Sequence, residues 1–99
     1  MSITNQYIQR LTNRIYENNR DIVSLDREKT LVNNIYRKCL NYYKVYPYVS
    51  SQYGELGYNP CRDFSKEIKE IDNSIMEYKK EVETYTNMIN ICKAIDKEY

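Results

Sequence analysis

The sequence predicts an all-α fold: an antiparallel, coiled-coil-like two-helix hairpin. Three observations predict it. Glycine and proline occur only between positions 47 and 60, so two long segments lack both helix breakers. Apolar residues in both segments recur with the heptad spacing typical of coiled coils. Residues 1–46 are net basic and residues 61–99 are net acidic, which favours their pairing with each other.

The first helix is predicted over about residues 3–46, with Ser2 or Thr4 as its N-terminal cap. Asn18 and Asn19 are weak helix formers, but the heptad keeps its phase across them. We therefore predict one continuous helix. With heptad positions lettered a to g, the predicted core positions a and d of this helix are Ile8, Leu11, Ile15, Asn18, Ile22, Leu25, Lys29, Val32, Tyr36, Cys39, Tyr43 and Tyr46.

A connector is predicted over residues 47–60, and a second helix over about residues 61–98. Asn59-Pro60 and Asp63 are the candidate starts of this helix, because proline suits a first helical position and Asn or Asp can cap one. The a and d positions of the second helix are Phe64, Ile68, Ile71, Ile75, Tyr78, Val82, Tyr85, Ile89, Cys92, Asp96 and Tyr99.

The hairpin also carries a prediction of register, meaning which residues face each other. If Tyr43 and Phe64 form the first layer, the residue numbers of every facing pair total 107. The layers that follow include Cys39–Ile68, Lys29–Tyr78, Ile22–Tyr85, Asn18–Ile89 and Ile15–Cys92. Polar residues in such layers cost stability but help to fix a register.

The three cysteines are predicted to be plain thiols. Their spacing matches no metal-binding motif, the sequence has no histidine, and an odd number of cysteines does not suit a disulfide framework. In the predicted register Cys39 also lies too far from Cys61 and from Cys92 for a disulfide. We expect no metal and no cofactor.

Catalysis has little support in this sequence. It contains no histidine base, no glycine-rich phosphate loop and no nucleophile-elbow motif. We therefore expect that the protein is not an enzyme. It also lacks an apolar run long enough for a membrane span and a recognisable signal peptide, so we expect an intracellular protein with no membrane contact.

Residue usage points to an AT-rich genome, such as that of a large DNA virus, a phage or a low-GC microbe. Asn, Ile, Lys and Tyr, which have AT-rich codons, are abundant, whereas Gly and Pro occur only twice each. Codon bias does not explain 12 tyrosines against one phenylalanine, because both amino acids have AT-rich codons. The excess favours rings with one wet end, as in a thin core or a polar interface.

Two sets of residues are predicted to bind a protein partner. The first is the tyrosine-rich region around the connector: Tyr42, Tyr46, Tyr48, Tyr53 and Tyr58. These rings also have a structural interpretation, because they can pack on one another. The second set consists of apolar residues outside the a and d positions: Leu31, Ile35, Val45, Met88, Ile91 and Ile95. One seam cannot bury them all, so we expect a homodimer, which would form a four-helix bundle, or a larger partner.

The predicted function is therefore that of a non-enzymatic interaction or assembly protein, such as a viral or phage structural or inhibitory subunit. The alternative is a nucleic-acid-binding hairpin, since several basic residues lie along the first helix among tyrosines. Acidic residues interleave with them and the net charge is only +1, which favours the protein-binding interpretation.

Overall fold

A computed structural model describes residues 2–45 and 60–98 of the chain. Helix α1 spans Ile3–Val45 and helix α2 spans Pro60–Glu98. The two helices form an antiparallel hairpin, so the predicted fold class is confirmed. Helix α1 continues through Asn18 and Asn19 without a break, because apolar contacts along the seam outweigh the weak helix propensity of these residues.

The helix starts follow local chemistry. Ser2 caps α1, since its side-chain Oγ accepts a hydrogen bond from the backbone N–H of Asn5 at 3.1 Å. Its carbonyl oxygen accepts a second hydrogen bond, from the N–H of Gln6, at 3.1 Å. Helix α2 begins at Pro60, whose missing N–H would have no partner within the first turn of the helix.

The heptad seam is confirmed by burial. Among the described a and d positions, only Asp96 is exposed. Leu11 has no exposed surface, and the other buried apolar side chains are Val32, Cys61, Ile71, Ile75 and Ile89. All six lie at a or d positions, including Cys61, which is one heptad before Ile68. The core is therefore a narrow row along the seam.

The helices pair in two compact units. The terminal unit contains Met1–Leu25 and Ser74–Tyr99, and the connector unit contains Asp26–Asn73. Four contacts between the helices fix the register. They are Cys39–Cys61 and Lys29–Asp72 in the connector unit, and Asn18–Glu81 and Arg14–Tyr85 in the terminal unit. The residue numbers of these pairs total 99 to 101, so the predicted register is wrong by one heptad.

Polar residues in the seam give the physical reason for this shift. A displacement of seven residues leaves every a position opposite a d position, so apolar spacing cannot distinguish the two registers. The predicted register places Asn18 opposite Ile89 and Asp96 opposite Leu11, leaving an amide and a carboxylate against apolar side chains. In the observed register the Asn18 amide reaches a carboxylate, and Asp96 is exposed.

The shift also overturns the prediction for two cysteines. Cys39 and Cys61 lie at the same level of the connector unit and form a disulfide, with a Cα–Cα distance of 5.9 Å. Their thiols were predicted to be too far apart only because the register was wrong. Cys92 is a free, half-buried cysteine, as predicted.

Candidate protein-interaction site

Two polar contacts distinguish the sides of the hairpin. Asn18, at position d, donates its amide N–H to Glu81 at position g of α2, at 2.8 Å. Lys29, at position a, forms an ion pair with Asp72 at position e of α2, at 2.6 Å. Within each unit, therefore, the g positions of the two helices flank one side of the seam and the e positions flank the other. The c positions extend the g side outward.

The g side of the terminal unit carries an apolar surface near the chain ends, which we call the terminal face. Both helices contribute to it. Its c and g positions are Ile3, Tyr7, Arg10, Arg14, Thr84, Met88, Ile91 and Ile95. Ile3 is 85% exposed and Ile91 is 59% exposed, whereas Met88 is half-buried. The first turns of α1 border an open depression on this face, lined by Ile3, Gln6, Tyr7 and Arg10.

The g side of the connector unit carries a second surface, the connector face. Its c and g positions with described side chains are Glu28, Leu31, Ile35, Lys38, Tyr42, Asp63, Glu67 and Glu70. The apolar side chains come from α1, where Leu31 is 61% exposed and Ile35 is 41% exposed. Three of the four acidic side chains come from α2, and the fourth, Glu28, precedes Leu31 on α1. An exposed apolar row therefore lies beside an acidic row on this face.

The two faces carry opposite charge. Among the side chains of the terminal face that the structure describes, the charged ones are Arg10 and Arg14, both exposed. The described side chains of the connector face include four carboxylates and one ammonium, all exposed. The acidic character is segregated, because the basic residues in the same part of α2 occupy b and f positions on another side of the helix; they are Arg62, Lys66 and Lys69.

Most of the predicted apolar contact residues are accessible in this hairpin. Leu31, Ile35, Tyr42, Ile91 and Ile95 are all exposed. The Tyr42 ring meets the Tyr43 ring edge-on, with centroids 5.3 Å apart. Tyr46, Tyr48, Tyr53 and Tyr58 lie outside the described residues, as does the side chain of Val45.

The apolar pattern of the sequence does not single out the charged members of these faces, Arg10, Arg14, Glu67 and Glu70. Their heptad letters, c and g, nevertheless place them beside the apolar set. Further exposed apolar side chains lie at b and e positions, outside both faces; these are Tyr16, Val23, Leu40 and Met76.

Among the described residues, Lys29 in the seam has a pKa that its surroundings shift clearly. The hydrogen bond that Lys29 donates to Asp72 raises the pKa of Lys29 above its ordinary value of 10.5, and nearby negative charge adds to this effect. The protonated lysine is the form that makes the ion pair. Its stabilising effect is therefore present below pH 10.5 and is lost as the pH rises through the raised pKa.

The described part of the chain gives little support for a metal site, a membrane span or a nucleic-acid-binding stripe. Within residues 2–45 and 60–98, no group of three or more His, Cys, Asp or Glu could hold a metal ion. Neither described helix is long and apolar enough to span a membrane. The basic residues of α1 do not form one stripe, since Arg10 and Arg14 lie on the g side while Arg20 and Arg27 occupy f positions.

Comparisons with protein-family models, curated proteins and solved structures give no match for this chain.

Proposed function

We propose that this chain is a non-enzymatic interaction or assembly protein that binds a protein partner through the terminal and connector faces. The observation that supports this proposal is the exposure of apolar side chains at regular c and g positions in both units. Contiguous apolar surface bordered by charge is typical of association sites. Burial of one Leu or Ile side chain contributes about 1.5–3 kcal/mol. Burial of several half-exposed side chains would therefore contribute substantially to the free energy of association.

The proposal includes a source and a location. The residue usage of an AT-rich genome supports a virus or phage, in which a small helical subunit would scaffold or inhibit a larger protein. We retain an intracellular location, although disulfides are rare in reducing compartments. The bond between Cys39 and Cys61 would be partly shielded from cellular thiols, because attack on a disulfide requires access to a sulfur atom, and Cys61 is only 4% exposed while Cys39 is half-buried.

A double substitution, Ile35→Asp with Ile91→Asp, tests the proposal. Each change places a carboxylate in one of the two faces and leaves the a and d positions intact. We expect the variant to lose partners that co-purify with the wild-type chain from its native cells, as identified by mass spectrometry. We expect circular dichroism to report nearly unchanged helix content.

The matched control is Val23→Asp with Met76→Asp, at two b positions that are 51% and 56% exposed. This variant should keep every partner. If the Ile35 and Ile91 variant also keeps every partner, the interface lies elsewhere and the region from Tyr46 to Tyr58 becomes the better candidate. Binding to nucleic acid that weakens steeply with salt would instead favour the nucleic-acid alternative.

A further inference from the structure

We propose that the connector face of one copy of this chain binds the terminal face of a second copy. This inference rests on the proposed function and names the partner. Its basis is complementarity between two surfaces of one sequence: an apolar row bordered by acids and an apolar cluster bordered by arginines.

The two faces match in the spacing of their apolar side chains. Leu31 and Ile35 lie one helical turn apart on the connector face, and they form a ridge on α1. The terminal face presents Ile91 and Ile95 at the same four-residue spacing on α2. Ridges of this spacing pack between one another when two helices meet.

The two faces also match in charge. The terminal face contributes the guanidinium groups of Arg10 and Arg14, one helical turn apart. The connector face contributes the carboxylates of Glu67 and Glu70, also about one turn apart. Arginine pairs with carboxylates through two parallel hydrogen bonds, so this pairing would orient the contact as well as stabilise it.

Charge also determines which faces meet. Two connector faces would bring acidic rows together, and two terminal faces would bring arginines together, so like faces repel each other. The acidic residues on the g side of this unit that lie beyond the apolar cluster of the terminal face are Glu17, Asp21, Glu77 and Glu81. Their repulsion of the acidic row confines the contact to the region of Ile3 and Arg14.

The test uses sedimentation velocity of the full chain over a range of concentrations, with two charge-reversal variants. One variant carries Arg10→Glu with Arg14→Glu, and the other carries Glu67→Lys with Glu70→Lys. We expect the wild-type chain to self-associate, and we expect each variant alone to associate about tenfold more weakly or worse, because it brings like charges together. An equimolar mixture of the two variants should recover most of the wild-type affinity, since the reversed faces are again complementary.

Recovery in the mixture also controls for folding, because a misfolded variant would not regain affinity on mixing. This matters for Arg14, whose guanidinium lies 5.8 Å from the centre of the Tyr85 ring. A matched control, Lys66→Glu with Lys69→Glu, reverses charge on the b and f side of α2 and should leave association unchanged.

A wild-type chain that stays monomeric at several hundred micromolar would overturn this inference. Association that is insensitive to the reversals, or that is not recovered by mixing, would do the same. None of these three results would remove the proposed function, which fails only if the Ile35 and Ile91 variant retains its protein partners.

Discussion

In the connector unit a covalent bond joins the two helices at the level of Cys39, and an ion pair joins them again at Lys29. The contacts described between the helices of the terminal unit are non-covalent: packing around Leu11, the hydrogen bond from Asn18, and the Arg14 side chain against the Tyr85 ring. Both units have the same kind of apolar seam. The comparison shows that the same packed seam of two helices can be reinforced by a covalent cross-link or by non-covalent contacts alone.

Reduction of the Cys39–Cys61 disulfide tests this comparison and should cause the largest loss in the free energy of unfolding. The bond closes a segment with a sequence separation of 22 residues, and loop-closure entropy predicts a stabilisation of about 3 kcal/mol. Urea unfolding with and without a phosphine reductant measures the loss in free energy of unfolding. Hydrogen exchange should accelerate mainly in residues 26–45 and 60–73.

The control for reduction is a Cys39→Ala, Cys61→Ala variant, which should not respond to the reductant. If reduction leaves the unfolding midpoint of the wild-type chain unchanged, the connector unit does not depend on its cross-link and the proposed contrast between the units disappears.

A Leu11→Ala substitution probes the terminal unit, with a somewhat smaller effect. Leu11 is fully buried, so its truncation removes packing and leaves a cavity. We expect a loss of about 2–3 kcal/mol in the free energy of unfolding, toward the lower end for Leu→Ala because a narrow seam can partly close the gap.

The loss from Leu11→Ala should be the same with the disulfide intact or reduced, since distant sites contribute additively. Measuring the free energy of unfolding of wild type and Leu11→Ala under both conditions completes a thermodynamic cycle of the double-mutant type. A coupling energy above about 0.5 kcal/mol would show that the two units do not act independently.

The smallest expected effect is a partial change of register when the polar residues of the seam are replaced. Replacing Asn18 and Lys29 with leucine removes two polar side chains that favour the observed register. We expect a minor population shifted by one heptad, in which Cys39 faces position 68. An Ile68→Cys substitution in a Cys61→Ala background reports this population by forming a cross-link to Cys39.

The matched control carries Ile68→Cys and Cys61→Ala in the wild-type seam, where Cys39 and position 68 lie about 10 Å apart along the helices at 1.5 Å per residue. It should form no intramolecular cross-link. Equal cross-linking in both backgrounds would mean that the polar residues do not select the register.

The candidate faces were only partly predictable from the sequence. Leu31, Ile35, Ile91 and Ile95 stood out because apolar residues outside the seam positions cannot be buried by two helices alone. Which of them share a side with Arg10 or Glu67 could be decided only after the contacts of Asn18 and Lys29 had established how the two helices face each other.

Local chemistry in the sequence determined the helices of this protein: a serine cap, a starting proline, and a heptad repeat interrupted only by the connector. These features depend on residues close together in the chain, so sequence alone defines them. The register and the Cys39–Cys61 bond depended on the tertiary structure. A shift of one heptad still pairs every a position with a d position. The energy difference between the registers therefore lies in a few polar side chains whose partners are about 40 to 70 residues away in sequence.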